Sequence, residues 1–435
     1  MTGMDPRDLI LPPPVMPPRP AWIAWLFQAI GNRSAPPFTL LAMLVAFGSM
    51  ATHAILPAMP AMASDMGVGY GAIQLTVTLY LAGMATGQLF YGPLSDRFGR
   101  RPVVICGLVL FIAASLLGSV SGSFAVLLAA RILQSFGGCA GPVLGRAILR
   151  DGSTPSKAAG QLAMITVLMV FAPGLGPLIS GYIMVWFGWR AIFDFMALVG
   201  IIGLLWVLFS LPESNRTIGS ARGFGAILRS HAELLSSLRF NAVTVLGAAL
   251  TAASYGFFAG FPFVFSQVLN RPIETMGFWY GIVLGAYIVG GLASNRLANK
   301  VRPRWMMLAG VMISWVGTGI MLVMVLSGHT SLPAILATSF AYAVGSSMGG
   351  PFAASSAIGM HPSMIGTASG FYGFFQIMWA ALVTLVLSLW HDNTALPMAG
   401  VMFGSVSISL AVLLAMLARG ATGPKGESAP LHGRG

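Results

Sequence analysis

The sequence predicts an all-α membrane protein of twelve transmembrane helices in two six-helix halves, and three observations lead there. First, its 435 residues are 56% hydrophobic and 8% charged, with a mean hydropathy of +0.83. These values lie outside the range of soluble chains. A span takes about 20 apolar residues and roughly 30 with its loop, so the chain has room for about twelve. Second, charge is segregated. Twelve spans with both ends on one side put twenty of the 23 Lys and Arg residues on that side. Arg190 and Arg271 fall on the other, and Arg131 lies within a span. Basic excess marks the cytoplasmic face, so both termini are expected there. Third, a pattern repeats. GQLFYGPLSDRFGRRP (87–102) and GGLASNRLANKVRPR (290–304) each end an apolar run, 199 residues apart when Gly291 is set against Gly92. Ser294 then falls on Ser95 and Arg296 on Arg97, with Asn295 replacing Asp96 and Ala298 replacing Gly99.

Taken in order, residues 1–38 are a Pro-rich cytoplasmic tail. LPPPVMPPRP (11–20) reads as polyproline, and no basic-then-apolar leader precedes it. Trp22, Trp25 and Phe27 fit either an interfacial segment or a disordered tail. The N-terminal half, 39–211, holds spans at 39–60, 73–94, 102–120, 124–149, 158–187 and 191–211. A central cytoplasmic connection, 212–240, carries Arg216, Arg222, Arg229 and Arg239. The C-terminal half, 241–417, holds spans at 241–268, 275–297, 304–326, 332–357, 365–389 and 396–417. A cytoplasmic tail, 418–435, follows. The net charge of +12 is thereby a topology signal, and no nucleic-acid partner is expected. Cys106 and Cys139 both fall in apolar spans, so no disulfide framework is expected.

The sparse charge makes its clusters informative. Asp96, Arg97, Arg100 and Arg101 crowd the end of span two, with Gly92 and Gly99 punctuating the turn and Pro102 placed to open the next helix. In span four, Gly137, Gly141 and Gly145 recur every fourth residue and offer a flat face to a neighbour. Arg131 and Gln134 share another face. A cation within a span costs about 2.5–3.5 kcal/mol on insertion scales, so it faces a wet cavity or a partner. Tyr80, Arg131 and Gln134 are therefore candidate cavity residues. Pro173 and Pro177 interrupt span five, where Gly176 and Gly181 keep the helix small. His53 in span one is the titratable group placed deepest, since no span offers a deeply buried acid. Asp194 lies four residues after Arg190 near the end of span six, spaced to pair with it.

GPLSDRFGRRP (92–102) resembles the loop signature between the second and third helices of the major facilitator superfamily. YLAGMATGQ (80–88) resembles that of its bicyclomycin and chloramphenicol resistance branch. The resemblance implies the major-facilitator fold, 12 transmembrane helices in two six-helix halves related by an axis along the membrane normal. It further implies that Gly92, Asp96, Arg97, Gly99, Arg100 and Arg101 form a conformational latch. Arg131 matches the arginine of the family's fourth-helix motif, which takes part in proton coupling. GPLISG (176–181) is similar to the antiporter motif of the drug/proton exporters, with Ser180 where glycine is common. SMATHAILPAMP (49–60) matches the branch's first-helix pattern at Thr52, Leu56, Pro57, Ala58 and Pro60. The departure is His53, which stands where the branch has a membrane-embedded aspartate. His53, Arg131 and Asp194 are accordingly the candidate proton-coupling residues.

The expected function is secondary active export of small amphipathic compounds, of the multidrug efflux type, by proton antiport and alternating access. The expected setting is the cell inner membrane, as a monomer, with a small-molecule substrate, protons and the lipid bilayer as partners. A proton-independent facilitator or importer of a small metabolite would fit the missing acid in span one. A membrane enzyme or receptor on the same scaffold would want a convergent polar cluster, in which the spans are poor. There is no Gly-x-x-x-x-Gly-Lys phosphate loop, and the histidines are scattered, so no ATP, metal or other cofactor is expected.

Overall fold

A computed structural model of the chain describes residues 36–151, 175–215, 224–298, 300–361, 364–390 and 392–418. Among the described residues there are helices and no strands. In lipid every backbone group must be satisfied within its own segment, and the helix does that.

The first half comprises α1 (Phe38–His53), the short α2 (Met59–Asp65), α3 (Tyr70–Phe98), α4 (Arg100–Ser119), α5 (Phe124–Asp151), α6 (Leu175–Phe187) and α7 (Arg190–Ser210). After α8 (Phe224–Ser236), the second half comprises α9 (Leu238–Phe263), α10 (Met276–Leu297), α11 (Pro303–Leu326), α12 (Leu332–Gly359), α13 (Ile365–Leu389) and α14 (Leu396–Ala418). All twelve expected spans carry helix, the fifth being described from residue 175 onward. Nine candidate spans among the described residues are long and apolar enough to cross a membrane. α3 and α12 are long but fall outside that set. Their buried Gln74, Thr76 and Thr78, and Thr338, Ser339 and Ser346, lower the hydropathy while facing protein rather than lipid.

Several boundaries differ from expectation for local reasons. The first span does not stop at residue 60. Its helix gives way to a 3-10 turn at Leu56–Ala58, where Pro57 removes a donor, and resumes as α2. The second span runs through Pro93 to Phe98, so Gly92 lies inside a helix and only Gly99 breaks the chain. α4 starts at Arg100, two residues before Pro102, which occupies its first turn. The central connection is not wholly polar loop. It contains α8, and its last three residues already belong to α9, which Ser237 caps by accepting from Phe240 N at 3.4 Å.

The repeat seen in the sequence is a repeat of packing. In the first half α5 contacts α1, α3 and α4, and α7 packs on α4 and α1. In the second, α12 contacts α9, α10 and α11, and α14 packs on α11 and α9. The halves meet chiefly along α3 and α13, which run antiparallel. Thr78 Oγ1 donates to Thr384 Oγ1 at 3.0 Å, and Ser388 Oγ to the carbonyl of Gly71 at 2.5 Å. Tyr70 packs at a tilt against Phe263 with ring centroids 4.9 Å apart, and Gln74 Nε2 donates to Ala259 O at 3.4 Å. These contacts gather at the end of the bundle opposite the α3–α4 loop.

Candidate functional site

The charge cluster is built around a joint. Gly99 alone separates α3 from α4, with φ of 98°, a conformation that favours glycine. A glycine N-cap has no side chain, so the first amides of α4 need an acceptor from elsewhere. Glu213, just past α7, supplies it. Its Oε1 accepts from Arg100 N at 2.9 Å and its Oε2 from Arg101 N at 3.2 Å. Two residues on, Asn215 Nδ2 donates to the carbonyls of Ser95 at 3.3 Å and Asp96 at 3.1 Å, in the last turn of α3. Residues 213–215 thus cap the start of one helix and the end of the other. A Cβ on Gly99 would lie 2.5 Å from Glu213 Oε2 and would push the carboxylate away from these amides.

Arginine side chains tie the joint to the neighbouring helix ends. Arg100 pairs with Asp96 at 2.6 Å and with Asp151, the last residue of α5, at 3.1 Å, and also donates to Ser95 Oγ. Arg101 is buried and donates to Leu208 O at 2.8 Å, near the end of α7. Arg97 lies exposed, over the ring of Phe98. Every one of these contacts is within the first half. Asp151, Glu213 and Asn215 were not among the sequence candidates. The signal available was an acid placed directly after an apolar span, which a reading by composition takes for a solvated loop.

A second cluster lies between α1, α3 and α5. Arg131 is fully buried. Its Nε donates to Thr76 O at 3.3 Å, and its Nη1 to Ala51 O at 3.5 Å and to Gln134 Oε1. The guanidinium sits 4.2 Å from the centroid of the Tyr80 ring. Gln134 is fixed in turn, donating to Ser115 Oγ at 2.8 Å, and Tyr80 donates to Gly48 O at 3.2 Å. The structure therefore brings Tyr80, Arg131 and Gln134 together. Arg131 Nη2 has no hydrogen-bond partner among the described residues.

His53 ends α1 close by, 3% exposed, with Nδ1 2.8 Å from Ser49 O. Its ring meets the second half, with centroids 5.6 Å from Tyr255 and 5.2 Å from Phe258. α6 packs on the same turn. A Cβ on Gly176 would lie 3.3 Å from both Ala54 N and Met50 O. Gly176, Pro177 and Gly181 are buried, whereas Pro173 lies outside the described residues.

Asp194 is not brought to this cluster. It is exposed on α7, and its expected pairing with Arg190 is replaced by another. Arg190 pairs with Asp65 at 2.7 Å and donates to Ser121 O at 3.1 Å. Helical side chains lean toward the N-terminus, so the first residue of α7 reaches back to α2 rather than forward to Asp194.

Comparison with known proteins bears on the family and the fold. The profile of the Major Facilitator Superfamily matches residues 38–384. A bicyclomycin resistance protein homologue of Haemophilus influenzae is 29% identical over 378 residues, 85% of this chain and 92% of the relative. Multidrug resistance protein D of Escherichia coli is 29% identical over 337 residues, 78% of this chain and 84% of the relative. Among solved structures, the xylose transporter of Escherichia coli in a partially occluded inward-open conformation superposes with a TM-score of 0.67. It is 12% identical, with 91% of this chain and 98% of that one covered, and so bears on the fold alone. This chain belongs to the Major Facilitator Superfamily, and is a transporter rather than an enzyme.

Proposed function

We propose that this transporter exports small amphipathic compounds by alternating access, exchanging them for protons carried by His53. The observation that carries the reading is the position of His53. It is a titratable group at the boundary of the halves, against the rings of Tyr255 and Phe258, with Arg131 bonded to the carbonyl two residues before it. A group there changes surroundings whenever the halves rock. The aromatic wall suits an amphipathic substrate, and the names of the resistance-related relatives support export.

The direction of opening follows from charge. The excess of Lys and Arg in one set of loops supports a reading with those loops and both termini on the cytoplasmic side of a bacterial inner membrane. The hydrogen bonds between α3 and α13 and the Tyr70–Phe263 contact lie toward the other, outer end. This arrangement supports a state closed to the outside, with the Asp96–Arg100 joint as a latch that reforms or breaks as the cycle proceeds. The molecule works as a monomer in this reading.

One observation favours a second reading. Among the described residues no acid lies beside Arg131 or His53, which fits a proton-independent facilitator or importer. A pH jump across vesicles holding the protein separates the two. Exchange gives substrate movement coupled to proton flow. Movement of substrate without proton flow would replace the proposal by facilitation.

A further inference from the structure

We infer that the central site selects organic anions, the substrate supplying the negative charge that the described residues lack there. This rests on reading the His53–Arg131 cluster as the substrate site.

The chain has eleven Asp and Glu residues, and each can be accounted for. Asp5, Asp8 and Glu427 lie in the terminal tails. Asp65 pairs with Arg190 at the end of α2. Asp96, Asp151 and Glu213 belong to the joint. Asp194, Glu233 and Asp392 are exposed. Glu274 sits in the short turn Ile273–Thr275, between α9 and α10. Residues 152–174, outside the described structure, include Lys157 and no acid. Among the described residues, therefore, no carboxylate is seen beside Arg131 or His53.

Arg131 is nonetheless fully buried, and its Nη2 is left without a hydrogen-bond partner among the described residues. Backbone carbonyls and the Tyr80 face stabilise the guanidinium but do not neutralise it. The charged and titratable groups around His53 are Arg131 and Tyr80 from the first half and Tyr255 from the second. Gly176 on α6 adds none. With Nδ1 held against Ser49 O, the Nε2 of His53 remains for a ligand, and it becomes a donor when the ring is protonated. Charges inside a bundle are weakly screened. An organic cation at this site would face Arg131 with nothing to offset the repulsion. A carboxylate would offset Arg131 and accept a charge-assisted bond from its Nη2 while His53 is neutral, and protonation of His53 would follow its release. The rings of Tyr255 and Phe258 beside His53 complete a site for a small aromatic anion.

The test uses the purified full-length protein in detergent and a panel of amphipathic aromatic scaffolds. Each scaffold is offered as a carboxylate, an uncharged amide and an amine, and affinity is read from the thermal shift. The expected result is that carboxylates bind about tenfold or more tightly than the amines of the same scaffold. Arg131→Gln, judged folded by its elution profile and melting curve, should bring that ratio close to one. His53→Asp, which keeps the guanidinium, should move the preference toward amines and decides the matter if Arg131→Gln does not fold. Tightest binding by amines, or an unchanged preference in folded Arg131→Gln, overturns the inference. Binding of amides without carboxylates rejects the anion and leaves the transport of amphipathic compounds standing. Failure of every scaffold at every charge rejects both.

Discussion

The carboxylate of Glu213 caps the helix that Arg100 begins, 113 residues earlier in the chain, with Oε1 accepting from Arg100 N at 2.9 Å. The helix cannot be capped locally, because its N-cap is Gly99. Glycine is favoured there by its φ of 98°, and a larger residue would displace the incoming carboxylate. The charged loop and the start of the central connection are therefore one structural unit.

Glu213→Ala should remove the acceptor for two amides and cost about 1–2 kcal/mol. Glu213→Gln, which keeps one oxygen, should cost less. Gly99→Ala should cost about 1–3 kcal/mol through backbone strain and crowding of the carboxylate. Melting temperatures in detergent check the order, and a Glu213→Ala protein as stable as the parent would show that the cap carries no weight.

Asp96→Asn and Arg100→Ala should abolish transport while leaving the protein inserted and folded. The Asp96 side chain is 49% exposed, so Asp96→Asn removes a solvent-screened partner at little cost in stability. Arg100, 13% exposed, also loses Asp151 when replaced, and its melting temperature has to be checked. Loss of activity at normal expression and normal melting temperature would then report on the cycle rather than on folding. Normal transport by both variants would remove the latch from the mechanism.

Arg131→Lys should be impaired and Arg131→Ala inactive. Lysine keeps the charge but cannot serve Thr76 O, Ala51 O and Gln134 Oε1 together from a planar fork. Alanine leaves all three acceptors to find other donors in a buried place. Transport assays with folded variants decide it. Parent-like rates in Arg131→Ala would make the residue a passenger.

His53→Ala should lose proton coupling, while His53→Asp should keep coupling and gain tolerance for cations. A histidine carrier loads its proton from the acidic side, so transport by the parent should fade as the outside becomes alkaline. Proton-coupled export in His53→Ala equal to the parent would show that the ring is merely packed between Tyr255 and Phe258.

Twelve spans and their repeat were legible because hydropathy and charge segregation act over whole helices. The contacts of individual residues were less so. Gly137, Gly141 and Gly145 read as one face, but positions four apart drift by about 40° per step around a helix. Gly141 and Gly145 accordingly pack on α1, at Leu44 O and Val45 Cγ2, while Gly137 packs on α4 at Phe111 N. Arg131, Gln134 and Tyr80 were found because polar groups inside spans are costly and so carry information. Glu213 and Asn215 were missed for the converse reason. A polar residue in a connection costs nothing, and only the fold shows that two helix ends converge on it.

The missing central carboxylate has an electrical consequence. In a carrier whose binding site holds an acid, a proton and a cationic substrate replace one another and charge movement stays small. Here the exchange proposed is one proton inward for one organic anion outward, and both steps move positive charge toward the cytoplasm. A membrane potential acts on each charge with about 2.3 kcal/mol per 100 mV, so two charges gain about 4.6 kcal/mol per cycle. Such a pump would run on voltage even where the pH gradient has collapsed, and its turnover could be recorded as a current.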